Sequence, residues 1–146
     1  MFHKILIVCI GNICRSPTAE TLLRDALANS NIEVKSAGLG ALEEHPIEAM
    51  AHKVMEEHGH SPAFHAARQL TPAIANESDL VLVMEKRHLE GVLKIAPQAR
   101  GKVFLLGKWQ GDREISDPYG QGKPAFAHAY ALIEEAVQAW AQRLAR

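Results

Sequence analysis

The stretch "LIVCIGNICRSPTAE" (Leu6–Glu20) passes from an apolar run to a helix-start signal and carries both cysteines of the chain, Cys9 and Cys14. The run Ile5-Leu6-Ile7-Val8 does not alternate with polar residues, which suits a strand covered on both faces. Ser16 is a good N-cap and Pro17 a good first helical residue, because the N–H that proline lacks is unpaired at a helix start anyway. Ala19, Leu22, Leu23, Ala26 and Leu27 then mark the apolar stripe of a helix. Strand, short loop and helix in that order open an α/β chain.

Working outward, period and punctuation keep alternating. "IEVKSAGLG" (Ile32–Gly40) reads as a second strand, broken by Gly38 and Gly40. Ile47, Met50, Ala51, Val54 and Met55 mark a second helix that ends near Gly59. "DLVLVM" (Asp79–Met84) is another buried run, and "EKRHLEGVLKIA" (Glu85–Ala96) a helix stopped by Pro97. "KVFLLG" (Lys102–Gly107) is a fourth strand. Tyr130, Ile133, Val137, Trp140 and Leu144 give a long final helix after the glycine- and proline-rich "SDPYGQGKPA". Strands alternating with helices predict an α/β fold, a parallel sheet with helices on both faces and the loop from Cys9 after its first strand. Without repeats or linkers, residues 1–146 are expected to form a single domain. The segment between about 107 and 125 is the only long loop, and such loops are often functional.

Composition excludes several classes. A chain of 146 residues with 47% apolar content can bury one sizeable core. Sixteen basic against 17 acidic residues, with a pI near 6.7, leave no footprint for nucleic acid or an anionic membrane. No stretch approaches the roughly 20 apolar residues that cross a bilayer, so direct membrane insertion is not expected. "MFHKILIVCIG" lacks the cleavage site of a signal peptide, and the expected location is the cytoplasm. A permanent Cys9–Cys14 disulfide is disfavoured in that reducing compartment. A zinc site needs about four ligands. Two cysteines and eight scattered histidines do not assemble one, and His58-Gly59-His60 reads as a helix end with solvent-facing imidazoles. No metal or cofactor is expected.

What remains is a loop built to hold an anion against a nucleophile. In an open α/β sheet, ligands bind beyond the carboxyl ends of the strands, where Cys9 stands. A loop between strand end and helix start turns unpaired backbone N–H groups inward and favours negative charge. That field, with a guanidinium beside it, favours a thiolate at its focus. Gly11 and Asn12 can take the positive φ that a curled loop needs. Arg15 offers a planar fork that matches two oxygens of a tetrahedral phosphate. Alone, Cys-x5-Arg is a weak motif, because a cysteine at a strand end is usually a small buried hydrophobe. Its place between a buried strand and Ser16-Pro17 makes it informative.

"VCIGNICRSPTAE" resembles the signature of the low-molecular-weight protein tyrosine phosphatases, and "DPYG" (Asp117–Gly120) resembles that family's second signature. "SAGLGA", "HAARQLT" and "DLVLVMEKRHL" are similar to family segments in family order, so the resemblance covers essentially the whole chain. It implies a four-stranded parallel sheet flanked by helices. Carried across, Cys9 is the nucleophile, Arg15 the phosphate clamp and Asp117 the general acid. Ile10, Gly11, Asn12, Ile13 and Cys14 form the phosphate cradle, within which Asn12 holds the loop shape. Ser16 steadies the thiolate, Cys14 is a redox partner for Cys9, and Tyr119 is an aromatic wall of the substrate crevice. Family members often carry a second aromatic after that tyrosine, and here Gly120 and Gln121 follow. The resemblance is to a bacterial branch whose substrate is a membrane tyrosine autokinase controlling capsule or exopolysaccharide export.

The chemistry agrees with those roles. A phenolate is a poor leaving group at neutral pH, so an acid must protonate it, and the same group can then serve as base towards water. Pro118 confines Asp117 to extended backbone and helps aim it. Asp112 and Glu114, a few residues upstream, are expected to face solvent. Three rivals are weaker. An arsenate reductase-like thiol relay needs a further cysteine outside the loop, and the chain has none. A non-catalytic phosphotyrosine-binding module does not need Cys9, Arg15 and Asp117 together. Nucleotide binding lacks the Gly-x-Gly-x-x-Gly and Gly-Lys signatures.

Overall fold

The computed structural model describes residues 2–145. Strands β1 (Lys4–Cys9), β2 (Glu33–Gly38), β3 (Leu80–Val83) and β4 (Val103–Leu105) form one sheet in the order β2-β1-β3-β4. Every neighbouring pair is parallel. Helices α1 (Arg15–Ala26), α2 (Ala49–Glu57), α3 (Pro72–Glu77), α4 (Lys86–Ile95) and α5 (Lys123–Leu144) complete the architecture.

Helices on both faces of the sheet explain why Ile5–Val8 is apolar without alternation. Ile5, Ile7 and Cys9 enter one core with Leu22 and Leu23 of α1 and Ile133, Val137 and Trp140 of α5. Leu6 and Val8 enter the other with Ala75 of α3 and Val92 of α4. Period-two alternation therefore sends Cys9 to the α1–α5 side. The chain leaves β1 for β2 on one flank and returns to β3 on the other. The strand order reverses at β1, which opens a crevice at its carboxyl end.

Several local expectations change. Helix α1 starts at Arg15 with Cys14 at the cap position, and no side chain caps it. Ser16 lies inside the first turn instead, because its hydroxyl is engaged by Cys9 and Asn12. Of Gly11 and Asn12, Asn12 takes a positive φ, 59°, and Gly11 does not. Helix α3 adds to the expected elements: Thr71 accepts from the Ile74 N–H at 3.2 Å and Pro72 opens the helix. The long loop is shorter than expected. A 3-10 turn occupies Lys108–Gln110, and α5 begins at Lys123, which adds Phe126 and Ala129 to its buried stripe.

Candidate active site

The loop from Cys9 to Arg15 is shaped from outside. Each carbonyl from Cys9 to Ile13 accepts a hydrogen bond from a neighbouring segment, and that of Cys14 accepts from the first turn of α1. Leu39 N–H donates to Cys9 O at 2.9 Å, Gly40 to Ile10 at 3.0 Å, and Leu42 to Gly11 at 3.1 Å. His65 Nε2 donates to Asn12 O at 2.6 Å, Glu48 N–H to Ile13 O at 2.8 Å, and Thr18 N–H to Cys14 O at 3.2 Å. Among the described residues, no N–H from Ile10 to Arg15 has a protein acceptor. With carbonyls turned out and amides unpaired, the loop is a nest for an anion.

Asn12 is fully buried and is the keystone of this loop. Its Nδ2 donates to Ser16 Oγ at 2.8 Å and to Ser36 Oγ at 2.9 Å, while Oδ1 accepts from the Arg68 N–H at 3.0 Å. Ser36 in turn donates to Glu20 of α1. Since Ser16 Oγ already accepts from Asn12, its own proton is left for Cys9 Sγ, 3.0 Å away. The hydroxyl is thus set to donate to a thiolate. Helix α1 starts beside the same sulfur, which adds its amino-terminal field.

Arg15 is 2% exposed. Its Nη1 donates both protons to protein acceptors, Glu85 Oε2 and, at 2.7 Å, Ile115 O. Among the described residues, Nε and Nη2 have no hydrogen-bond acceptor, which leaves the fork that suits two phosphate oxygens. The Ile115 N–H is bonded to Met84 O at 3.0 Å, so the carbonyl that Arg15 grips is anchored to the end of β3. Burial alone would push the Glu85 carboxyl up. The bonds from Arg87 and Arg15 outweigh it and hold the carboxyl below its ordinary range.

A crevice of about 200 Å³ opens over the loop, lined also by Gly40, Leu42, Asp117 and Tyr119. Asp117 Oδ2 lies 4.0 Å from Arg15 Nη2, and its Oδ1 accepts from the Tyr119 N–H at 3.1 Å. Tyr119 stands 56% exposed at the rim. Asp112 is exposed with φ 59°, and Glu114, though exposed, accepts from the Lys86 N–H at 2.7 Å. Neither lines the crevice. Cys14 is a buried free thiol, pushed up first by burial and then by the charge of Asp117. His58 and His60 are engaged rather than free. His58 stacks on Tyr130 with ring centroids 4.1 Å apart, and His60 Nδ1 lies 2.6 Å from Asp25 Oδ2.

Glu20, Ser36, Leu42, Glu85, His65 and Arg68 also bear on the site, and no local motif in the sequence marks them. Glu20 stands in the opening stretch, but its tie to Ser36 is visible only once β2 lies against β1.

Comparison with known proteins places the chain in a family. The family model "Low molecular weight phosphotyrosine protein phosphatase" matches residues 4–146. The low-molecular-weight protein-tyrosine-phosphatase Etp of Escherichia coli K12 is 48% identical over 145 residues, covering 99% of this chain and 97% of Etp. The probable phosphatase AmsI of Erwinia amylovora is 47% identical over 146 residues and covers 100% of both chains. The solved structure of Vibrio vulnificus Wzb with benzylphosphonate superposes with a TM-score of 0.94 at 50% identity, over 98% of this chain and 99% of that one. On the strength of a family match across nearly the whole chain and relatives near half identity, the chain belongs to the low-molecular-weight phosphotyrosine protein phosphatases.

Proposed function

We propose that this chain hydrolyses phosphotyrosine in proteins through a phosphocysteine intermediate on Cys9. The observation that carries this reading is the loop whose carbonyls are all bonded outward, around the Cys9 sulfur and beneath the free fork of Arg15. The amides of Ile10, Gly11, Asn12, Ile13, Cys14 and Arg15 hold the phosphoryl oxygens, and Arg15 Nε and Nη2 grip two of them. The Cys9 thiolate attacks phosphorus in line, the S–P bond forms and the P–O bond to the phenolate breaks. Asp117 gives its proton to that oxygen. As carboxylate it then takes a proton from water, which attacks phosphorus, and the S–P electron pair returns to sulfur. The Ser16 hydroxyl donates to the thiolate so formed. The scheme calls on no cofactor.

Tyr119 and Leu42 form apolar walls suited to an aromatic ring. The relative solved with benzylphosphonate, an aromatic ring carrying a phosphonate, supports that assignment. The protein substrate is a tyrosine autokinase of a capsule or exopolysaccharide export system, met on the cytoplasmic side of its membrane. Support comes from the sequence resemblance alone. Among the described residues, no helix is long and apolar enough to cross a membrane. Residues 1–146 act as one phosphatase domain.

Replacement of the nucleophile tests the reading. Cys9→Ser should abolish turnover of aryl phosphates and keep phosphate binding, since an alcohol there is hardly ionised at neutral pH. Cys14→Ser should keep most activity. A fully active Cys9→Ser enzyme, or an inactive Cys14→Ser one, overturns the assignment. Purified enzyme should also remove phosphate from the tyrosine-rich tail of an autokinase encoded beside it.

A further inference from the structure

His88, at the start of α4, is fully buried behind the phosphate clamp and is not part of the scheme above. Its Nδ1 lies 3.1 Å from the backbone N of Glu85. The backbone N–H can only donate, so Nδ1 is the acceptor and the proton of the neutral ring sits on Nε2. That Nε2 has no hydrogen-bond partner among the described residues. Its nearest carboxylate oxygen is Glu85 Oε2, 3.6 Å away, the same atom that accepts from Arg15 Nη1. A buried donor left unpaired costs free energy, so its placement 3.6 Å from that oxygen calls for an explanation. Burial and the charge of Arg15 keep the ring neutral, with its pKa held down to about 4.

We propose that His88 is a positioning residue for the phosphate clamp, whose Nε2–H is a reserve donor that steadies Glu85 when Arg15 turns its charge onto a bound phosphoryl group. Glu85 Oε2 accepts from Arg15 Nη1 and, more loosely at 3.4 Å, from Arg87 Nη2. A phosphoryl group competes for the Arg15 guanidinium and weakens its bond. The carboxylate then closes the short gap to His88 instead of following Arg15 or drifting towards the exposed Arg87, which holds Oε1 at 3.1 Å and Oε2 at 3.4 Å. Glu85 stays in place, and Arg15 keeps a fixed pivot. The inference rests on the reading of Arg15 as phosphate clamp.

The two ring nitrogens can be tested separately. Asparagine reproduces the Nδ1 position and so keeps the bond from the Glu85 N–H, but has nothing at Nε2. Glutamine reproduces the Nε2 donor and loses the Nδ1 acceptor. If His88 merely packs and caps α4, His88→Asn should bind phosphate normally and His88→Gln should be the worse variant. The positioning role predicts the reverse. His88→Asn should weaken competitive inhibition by inorganic phosphate about 3- to 10-fold, the effect of one net hydrogen bond, and His88→Gln should stay within about twofold of wild type. KM for aryl phosphates should rise in parallel in His88→Asn with kcat little changed. In a Glu85→Gln background the same His88→Asn change should alter the phosphate constant less than about twofold. Nitrogen-15 NMR of the intact protein should show His88 as the Nε2–H tautomer, with that proton moving on addition of phosphate. An Nδ1–H tautomer, or normal phosphate binding by His88→Asn, overturns the proposal. So does equal weakening in both single variants. If phosphate fails to bind the wild-type protein at all, the clamp reading falls and takes this inference with it.

Discussion

Asp117 leaves 47% of its side chain in solvent and touches the guanidinium only at 4.0 Å, so it is free to trade a proton with substrate or water. A general acid typically contributes ~10²–10⁴-fold, and Asp117→Ala should lower kcat within that range. The loss depends on the leaving group. Phenyl phosphate, whose phenolate needs the proton, should suffer far more than an activated nitrophenyl ester. KM should barely move, since the proposed phosphate contacts run through the amides and Arg15. Asp112→Ala and Glu114→Ala should keep the wild-type dependence of kcat on leaving-group pKa. If either of these steepens it while Asp117→Ala does not, the acid is elsewhere. The two thiols separate just as sharply. Burial pushes Cys14 up, so it stays a thiol in the resting enzyme. If Cys14 protects Cys9, mild peroxide should inactivate the wild type reversibly through a Cys9–Cys14 disulfide, and Cys14→Ser irreversibly. Mass spectrometry showing Cys9 sulfinic acid and no disulfide in the wild type would remove Cys14 from any redox role.

At the scale of elements, the phosphate loop is the seam between β1, β2 and α1. A Cβ on Gly38 would stand 2.3 Å from Ile10 O and 3.1 Å from Asn12 Cβ, inside the backbone that forms the cradle. Gly38→Ala should therefore push the loop out of shape and destabilise the fold by ~2–3 kcal/mol. Phosphate binding should weaken along with it. Gly40→Ala meets only Ile10 Cγ2 at 3.9 Å and should be tolerated. Urea unfolding and phosphate inhibition of the pair check this, and equal behaviour would mean the seam is not tight. These elements were legible in the sequence to differing degrees. Ile5–Val8 and Leu80–Val83 declare themselves because both faces of each strand are buried, which makes the run continuous. Helix α3 escaped because its short span buries only Ala75 and leaves no stripe to read. Ser16 misled as a cap because hydroxyls at a helix start usually bond to backbone, whereas this one serves the sulfur and Asn12. Cys9, Arg15 and Ser16 share one loop and could be read together. Glu85, Ser36 and Arg68 bear on the same site from 20 to 70 residues away. Only the sheet order brings them in.

For the molecule as a whole, the buried histidine behind the clamp ties global stability to pH. Burial first, then the charge of Arg15, hold His88 at about 4, against 6.5 when unfolded. Between those values the unfolded chain binds a proton that the folded chain does not. Stability then rises with pH, is complete above about 6.5 and is lost as pH falls towards 4. A separation of this size corresponds to an order of ~3 kcal/mol, a sizeable part of the ~5–15 kcal/mol typical of a domain. Other groups act in a lower window. The His3 and Lys4 amides hold Asp79 below its ordinary range. In Glu85 the bonds from Arg87 and Arg15 outweigh burial and do the same. Both carboxylates add stability that disappears only below about pH 4.5, as they protonate. The two windows can be told apart. Urea midpoints measured from pH 7.5 to 3.5 should fall for the wild type from about pH 6.5 downward. In His88→Asn the midpoint should stay level to about pH 4.5 and then fall with the carboxylates. A variant whose midpoint falls in parallel with the wild type between pH 6.5 and 4.5 would show that the acid sensitivity comes from other groups and that His88 is already charged in the fold.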